Sequence, residues 1–291
     1  MAATGTAARL PYVSVALISA AALGYEILLM RLFSIIQWHH FAYMIISLAL
    51  LGYGASGTFI ALTRNILLGR FNPSYWLNLV LFGLSTVACY LAAQQVPFNP
   101  EEVLWDWRQP WHLLAIYLLL SLPFFFAANA IVLALTRYRQ KVSLIYASDL
   151  LGAGLGSLGI VLLLFIVYPG VALKFIGAVG LVAALIAARE LRMPQWPWQG
   201  VALAGVVLLL ALPARWLEPQ VSPYKGLSQT LRITGTQVID RRASPLGVLT
   251  LVESTAIPLR HAPGLSLHAA APIPDQLALF TDADALTAIN H

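Results

Sequence analysis

The chain has 291 residues, 59% of them hydrophobic and only 10% charged, with a mean hydropathy of +0.78. An average soluble domain carries roughly 25% charged residues, so a water-soluble globule of ordinary composition is excluded. The net charge of +5 comes from single cations set between apolar runs and forms no basic patch, which argues against nucleic acid as a partner.

Seven apolar segments follow in chain order, at 11–36, 40–63, 75–96, 111–136, 143–168, 170–188 and 198–215. A bilayer-spanning helix needs about 20 mostly apolar residues, so each is long enough to cross or nearly cross. The expected fold is an all-α polytopic membrane protein, with about seven spans in a transporter-like bundle over 1–216 and the lipid bilayer as its partner. The last segment is the shortest and holds Pro213, which leaves six spans plus a surface helix as an alternative. Pro123 should kink the fourth segment, where neighbouring helices can re-satisfy the freed backbone group. The apolar run of the first segment continues past Glu26 to Ile36, longer than the core of a signal peptide, and predicts an uncleaved span.

Charges alternate between the segments. Arg64 and Arg70, then Arg137, Arg139 and Lys141, then Arg189 and Arg192 occupy the second, fourth and sixth loops, while Glu101, Glu102 and Asp106 with Arg108 mark the third. Short cationic loops stay cytoplasmic, so the amino terminus with Arg9 is expected inside and the 97–110 loop outside. Seven spans would put the tail outside. The cluster Trp105, Trp107, Trp111 and the pair Trp196, Trp198 suit interfacial belts.

After Trp216 the texture changes. Residues 217–291 carry five basic and six acidic side chains, against twelve and six before them, and the short runs Gln229 to Ile233, Thr236 to Ile239, Val248 to Val252 and Gln276 to Phe280 read as strands. The β-rich tail of 217–291 has the texture of the beginning of a domain.

Several constellations invite chemistry. Gly154 to Gly159 spell G-x-G-x-x-G, but no separate strand precedes them and no amphipathic helix follows, so a dinucleotide loop is rejected. Gly152, Gly156 and Gly159 instead form a stripe of small residues at helical spacing, where another helix can approach closely. Gly52 with Ser56, and Gly54 with Thr58, repeat the arrangement, so the second and fifth segments are candidates to meet. Charge within the membrane is costly, which singles out Glu26, Arg31 and Asp149. A five-residue spacing turns Glu26 and Arg31 about 140° apart, so each should face a different neighbour or a hydrated cavity. Asp149 lies near the end that carries Arg137, Arg139 and Lys141, any of which could neutralise it. His39, His40 and His112 lack the spacing of a metal site, and Cys89 stands alone, so neither a metal nor a cofactor is expected.

Two membrane stretches and the tail carry a resemblance. Gly24-Tyr25-Glu26-Ile27-Leu28-Leu29-Met30-Arg31-Leu32-Phe33-Ser34 with the Gly-rich 51–58 segment, and Ile145-Tyr146-Ala147-Ser148-Asp149-Leu150-Leu151-Gly152-Ala153-Gly154-Leu155-Gly156, resemble the membrane region of polytopic spermidine-synthase-like proteins. Ser222-Pro223-Tyr224-Lys225-Gly226 and Ser244 to Val252 look like the β-rich lead-in of that family's aminopropyltransferase-type domain. The resemblance implies a bacterial inner-membrane protein with motif positions Glu26, Arg31, Tyr146 and Asp149, and a downstream synthase-like domain or subunit as partner. It also implies a Rossmann-like domain that holds decarboxylated S-adenosylmethionine and a diamine. No position in this chain matches that domain's glycine-rich loop or the family's catalytic aspartate, so the chain as given is not expected to transfer aminopropyl groups by itself. The alternatives are a small-solute or proton-coupled transporter that uses Glu26, Arg31 and Asp149, and a purely structural membrane anchor.

Overall fold

A computed structural model describes residues 10–38, 41–255, 261, 266 and 274–290. Arg9, His39, His40 and the side chain of Trp196 lie outside the described residues. Seven helices make the bundle: α1 (Tyr12–Ile36), α2 (Ala42–Gly69), α3 (Phe71–Gln94), α4 (Gln109–Arg137), α5 (Val142–Leu163), α6 (Pro169–Glu190) and α7 (Gln195–Ala211). The first six are long and apolar enough to cross a membrane, and α7 falls short of that length. At 1.5 Å per residue α7 reaches about 26 Å, against a hydrocarbon core of about 30 Å.

Apolar sequence that must satisfy every backbone polar group without water has the helix as its natural solution. Local signals set the ends. Pro110 lies in the first turn of α4 and Pro169 opens α6, where the missing N–H costs nothing. Pro123 lies buried inside α4.

Helix α1 is the hub, packed against α5, α6, α2 and α4. Its Tyr25 ring is fully buried at 5.1 Å from the Phe124 ring of α4 and meets Phe82 of α3 edge-on at 6.4 Å. At its amino end the Glu190 carboxylate, from the end of α6, accepts from the backbone N–H of Val13 at 2.9 Å and from the Ser14 hydroxyl at 2.5 Å. An anion there meets the free donors and positive dipole end of the helix.

Small residues decide which helices touch. A Cβ at Gly152 or Gly156 would collide with the backbone of Ala16 or Ala20, so α5 lies directly on α1. Gly159, the third member of the expected stripe, faces open space. Gly52 fits against Ser121 and Phe124 of α4, and Ser56 donates to Asn129 Oδ1 on the same helix at 2.7 Å. The expectation that the second and fifth segments meet is therefore corrected. The small residues permit close approach without specifying the partner, and each helix uses its stripe on a different neighbour. A contact not read from the sequence joins α3 to α6, where Gly83 and Gly177 lie against each other's carbonyls.

Beyond α7 the chain passes through a short helix, α8 (Gly226–Thr230), into four strands: β1 (Thr236–Ala243), β2 (Val248–Ser254), β3 (Gln276–Thr281) and β4 (Ala285–Asn290). They form one antiparallel meander in the order β1-β2-β3-β4, with an irregularity in β1 between Val238 and Asp240. Leu227, Val252, Ala278, Phe280 and Ala283 make its small core. The strand expected at Gln229 to Ile233 is a helical turn and bend, because Leu227 N–H is drawn to Ala283 O at 3.0 Å and curls the chain under the sheet. Strand β4 lies outside the expected strands; its β-branched Thr287 and Ile289 stand among small residues, and it pairs with β3 because the hairpin turn delivers it there.

Gly156→Ala should destabilise the purified protein by about 1–3 kcal/mol through overpacking. Gly159→Ala, on the open face of the same helix, should be neutral or mildly stabilising. Thermal unfolding in detergent checks the pair, and equal responses would contradict the α1–α5 contact.

Candidate functional site

A helix leaves its last four carbonyls without intrahelical partners. At the end of α1 each one is answered. Phe33 O accepts from Gln37 N–H at 2.9 Å, and Ile36 O accepts from Ser222 N–H at 2.9 Å. The Lys225 ammonium donates to Ser34 O at 2.7 Å and to Ile35 O at 3.0 Å. Three of the four carbonyls are thus answered from the tail, two of them by Lys225.

The third proton of Lys225 goes to Asp282 O at 2.7 Å, which ties the helix end to the β3–β4 turn. One turn deeper on α1, Arg31 grips the side chain of the same residue in a bidentate pair. Its Nη1 donates to Asp282 Oδ2 at 2.7 Å, and Nη2 lies against Oδ1. Nη1 also reaches Ser34 Oγ at 2.8 Å. The planar guanidinium matches a carboxylate fork, which a lysine at this position could not do. Asp282 Oδ1 further accepts from Val248 N–H at 2.9 Å, and Asp282 N–H donates to Val248 O at 2.9 Å.

This turn is strained. Asp282 and Ala283 both have positive φ, at 51° and 62°. Left-handed backbone suits the twist of a tight hairpin but costs a residue with a Cβ roughly 1–2 kcal/mol. Arg31, Lys225 and the Leu227 N–H all bond to the two strained residues, so the bundle and the lead-in hold the turn in its shape.

Asp284, Asp282 and Arg31 all lie within electrostatic reach of Lys225. Lys225 is 1% exposed. Burial pushes its ammonium down from 10.5 to about 8, against the pull of Asp284 and Asp282 and with a smaller push from Arg31.

The other charges singled out on the apolar helices lie elsewhere. Glu26 is partly buried on α1, and it and Asp149 of α5 are both within electrostatic reach of the Tyr53 hydroxyl of α2. Asp149 accepts from the Ser19 hydroxyl across the α1–α5 contact. Arg137, Arg139 and Lys141 are exposed, and among the described residues none pairs with it, so the neutralising partner expected from the sequence is replaced by a hydroxyl. Tyr146 is exposed on α5. His112 keeps its Nδ1 buried without a partner, and among the described residues no three His, Cys, Asp or Glu side chains gather where a metal could bind.

Sequence reasoning picked out Arg31 by its cost in a membrane but missed Asp282, 251 residues away. The Thr281-Asp282-Ala283-Asp284 stretch carries a turn signal, yet nothing local tells that its carboxylate is directed at the bundle. Lys225 was quoted only as part of a motif.

Undocking would return Lys225 to its ordinary proton affinity. Between pH 8 and 10.5 the undocked state then binds more protons, so docking should tighten as pH rises through that window. Below pH 8 the cost of burying the charge is fully present. Lys225→Met should weaken docking by about 2–3 kcal/mol, through the lost bonds to a charged donor, and should flatten the slope. Protease cleavage of the tail followed across pH reads both effects. A slope that survives in the variant, or wild-type docking that loosens above pH 8, would contradict the assignment.

No protein-family model, curated protein or solved structure matches the chain.

Proposed function

We propose that the chain is a seven-span integral membrane protein of the bacterial inner membrane whose bundle serves as anchor and platform for an extramembrane β-rich domain, of which 217–291 is the lead-in. The single observation that carries this is the bidentate Arg31–Asp282 pair, an intramembrane cation whose partner is the tail. A membrane arginine needs an anion or water, and one satisfied by a folded turn couples the two parts of the chain. The spermidine-synthase-like resemblance names the class of domain that the platform would hold, and the lead-in motif contains Lys225 itself.

Orientation follows from charge and parity. Lys174 of α6 donates to Leu212 O just beyond α7, so α7 runs back along α6 and delivers the tail to the end where α1 finishes. Arg64, Arg70, Arg137, Arg139, Arg189 and Arg192 belong to the opposite end, the cytoplasmic one by the positive-inside rule. The tail would then face the periplasm.

In a Cys89→Ser background, a cysteine replacing the exposed Leu246 should react with a membrane-impermeant maleimide in intact spheroplasts, whereas one replacing Arg139 should react only after lysis. The reverse pattern would overturn the orientation. The purified chain with decarboxylated S-adenosylmethionine and putrescine should give no spermidine, and turnover above background would overturn the platform reading.

A second reading, a proton-coupled carrier, is favoured by one observation, the convergence of Glu26 and Asp149 on Tyr53. It requires proton flux in proteoliposomes that Glu26→Gln abolishes while the tail stays protease-resistant. Flux equal to that of empty vesicles would discard it.

A further inference from the structure

A cavity of about 360 Å³ opens where the outer ends of α1 and α3 meet the start of α4 and the strap at 220–223. Its polar lining is mostly amide and phenol, Gln37, Tyr90, Gln94, Gln95 and Gln220 with the hydroxyl residue Ser222, and its apolar walls include Phe33 and Phe98. None of its lining residues is charged. Gln94 Oε1 is already occupied, accepting from Gln220 N–H at 3.0 Å.

Two of the lining side chains carry unsatisfied atoms. Gln37 is 7% exposed and Tyr90 1%, and Gln37 Oε1 and Tyr90 Oη are buried with no hydrogen-bond partner. An unpaired buried polar group costs about 1–3 kcal/mol, so two at one cavity call for an occupant. They are of complementary kinds: an amide oxygen that only accepts and a phenol that can donate. Tyr25 Oη, within electrostatic reach of Tyr90, is likewise buried and unpartnered, which extends the polar row below the cavity towards the middle of the bundle.

The walls narrow the choice of occupant. Ordered water needs two to four polar partners, and molecules beside Phe33 and Phe98 would lack them. A charged head would be buried without a counter-ion. The volume lies at the lower end of the range for small-molecule sites, about 300–1,000 Å³.

We propose that this cavity binds a small uncharged molecule with a head that both donates and accepts hydrogen bonds, of the primary carboxamide type, on a short apolar body. The head takes Gln37 Oε1 with its N–H and Tyr90 Oη–H with its carbonyl, and the body lies along Phe33 and Phe98. The site is independent of which side of the membrane the tail faces.

Three probes of one chain length test it: hexanamide, hexanoate and hexylammonium, added to the purified full chain in detergent. Hexanamide should raise the unfolding midpoint saturably, and the two charged probes should not. Tyr90→Phe and Gln37→Met should each weaken the hexanamide response by about tenfold, the loss of one hydrogen bond to a buried polar group. Each variant should be at least as stable as the wild type without probe, because the atom removed has no protein partner. No saturable response to hexanamide, equal responses to all three probes, or an undiminished response in both variants would overturn the proposal. A probe-free variant markedly less stable than the wild type would overturn it too, since the removed atom would then have had a structural partner.

Discussion

The carboxyl-terminal end of α1 has to be closed. Four carbonyls and one guanidinium converge there, and a buried polar group left unpaired costs about 1–3 kcal/mol; of their atoms only Arg31 Nε stays without a partner. The tail closes the end with Ser222 N–H, the Lys225 ammonium and the Asp282 carboxylate. The dependence is mutual, because the β3–β4 turn contains two residues in the left-handed region and its shape relies on the same bonds. The hub helix and the sheet's most strained turn thus complete each other.

That junction organises what surrounds it. Helix α1 also packs against four other helices, so the junction sits on the element with the most neighbours in the bundle. A second cavity, of about 460 Å³, lies between the bundle end and the sheet beside Tyr168, whose hydroxyl donates to Arg241 O at 2.5 Å. The tail is therefore bound at several points, with the charged cluster as the innermost. Glu26 of α1 and Asp149 of α5 act on Tyr53 and not on Lys225, so the charges that anchor the tail are a separate group.

The helices were legible because lipid imposes a simple rule on sequence. Apolar runs of sufficient length mark each of the six long helices, and their ends moved by only a few residues, most at α2, which continues past Arg64 to Gly69. Glycine spacing revealed that α5 approaches a neighbour closely, though not that the neighbour is α1, since a stripe of small residues describes one surface and not its complement. The strands at 248–252 and 276–280 showed as apolar, β-prone runs, while β4, a short segment of Thr287 and Ile289 among small residues, depends for its pairing on the turn before it.

The site was legible in halves. Arg31 stood out because a membrane cation demands a partner, whereas Asp282 is one ordinary turn aspartate among several, and only the folded chain joins them. The most direct measurement of this coupling is the distance distribution between spin labels at Leu104 and Leu246, both almost fully exposed and on opposite sides of the junction, in a Cys89→Ser background. Docking predicts one narrow distribution that broadens when Asp282 is replaced by alanine. A broad distribution in the otherwise wild-type protein, or one that Asp282→Ala leaves unchanged, would contradict the coupling of tail to bundle.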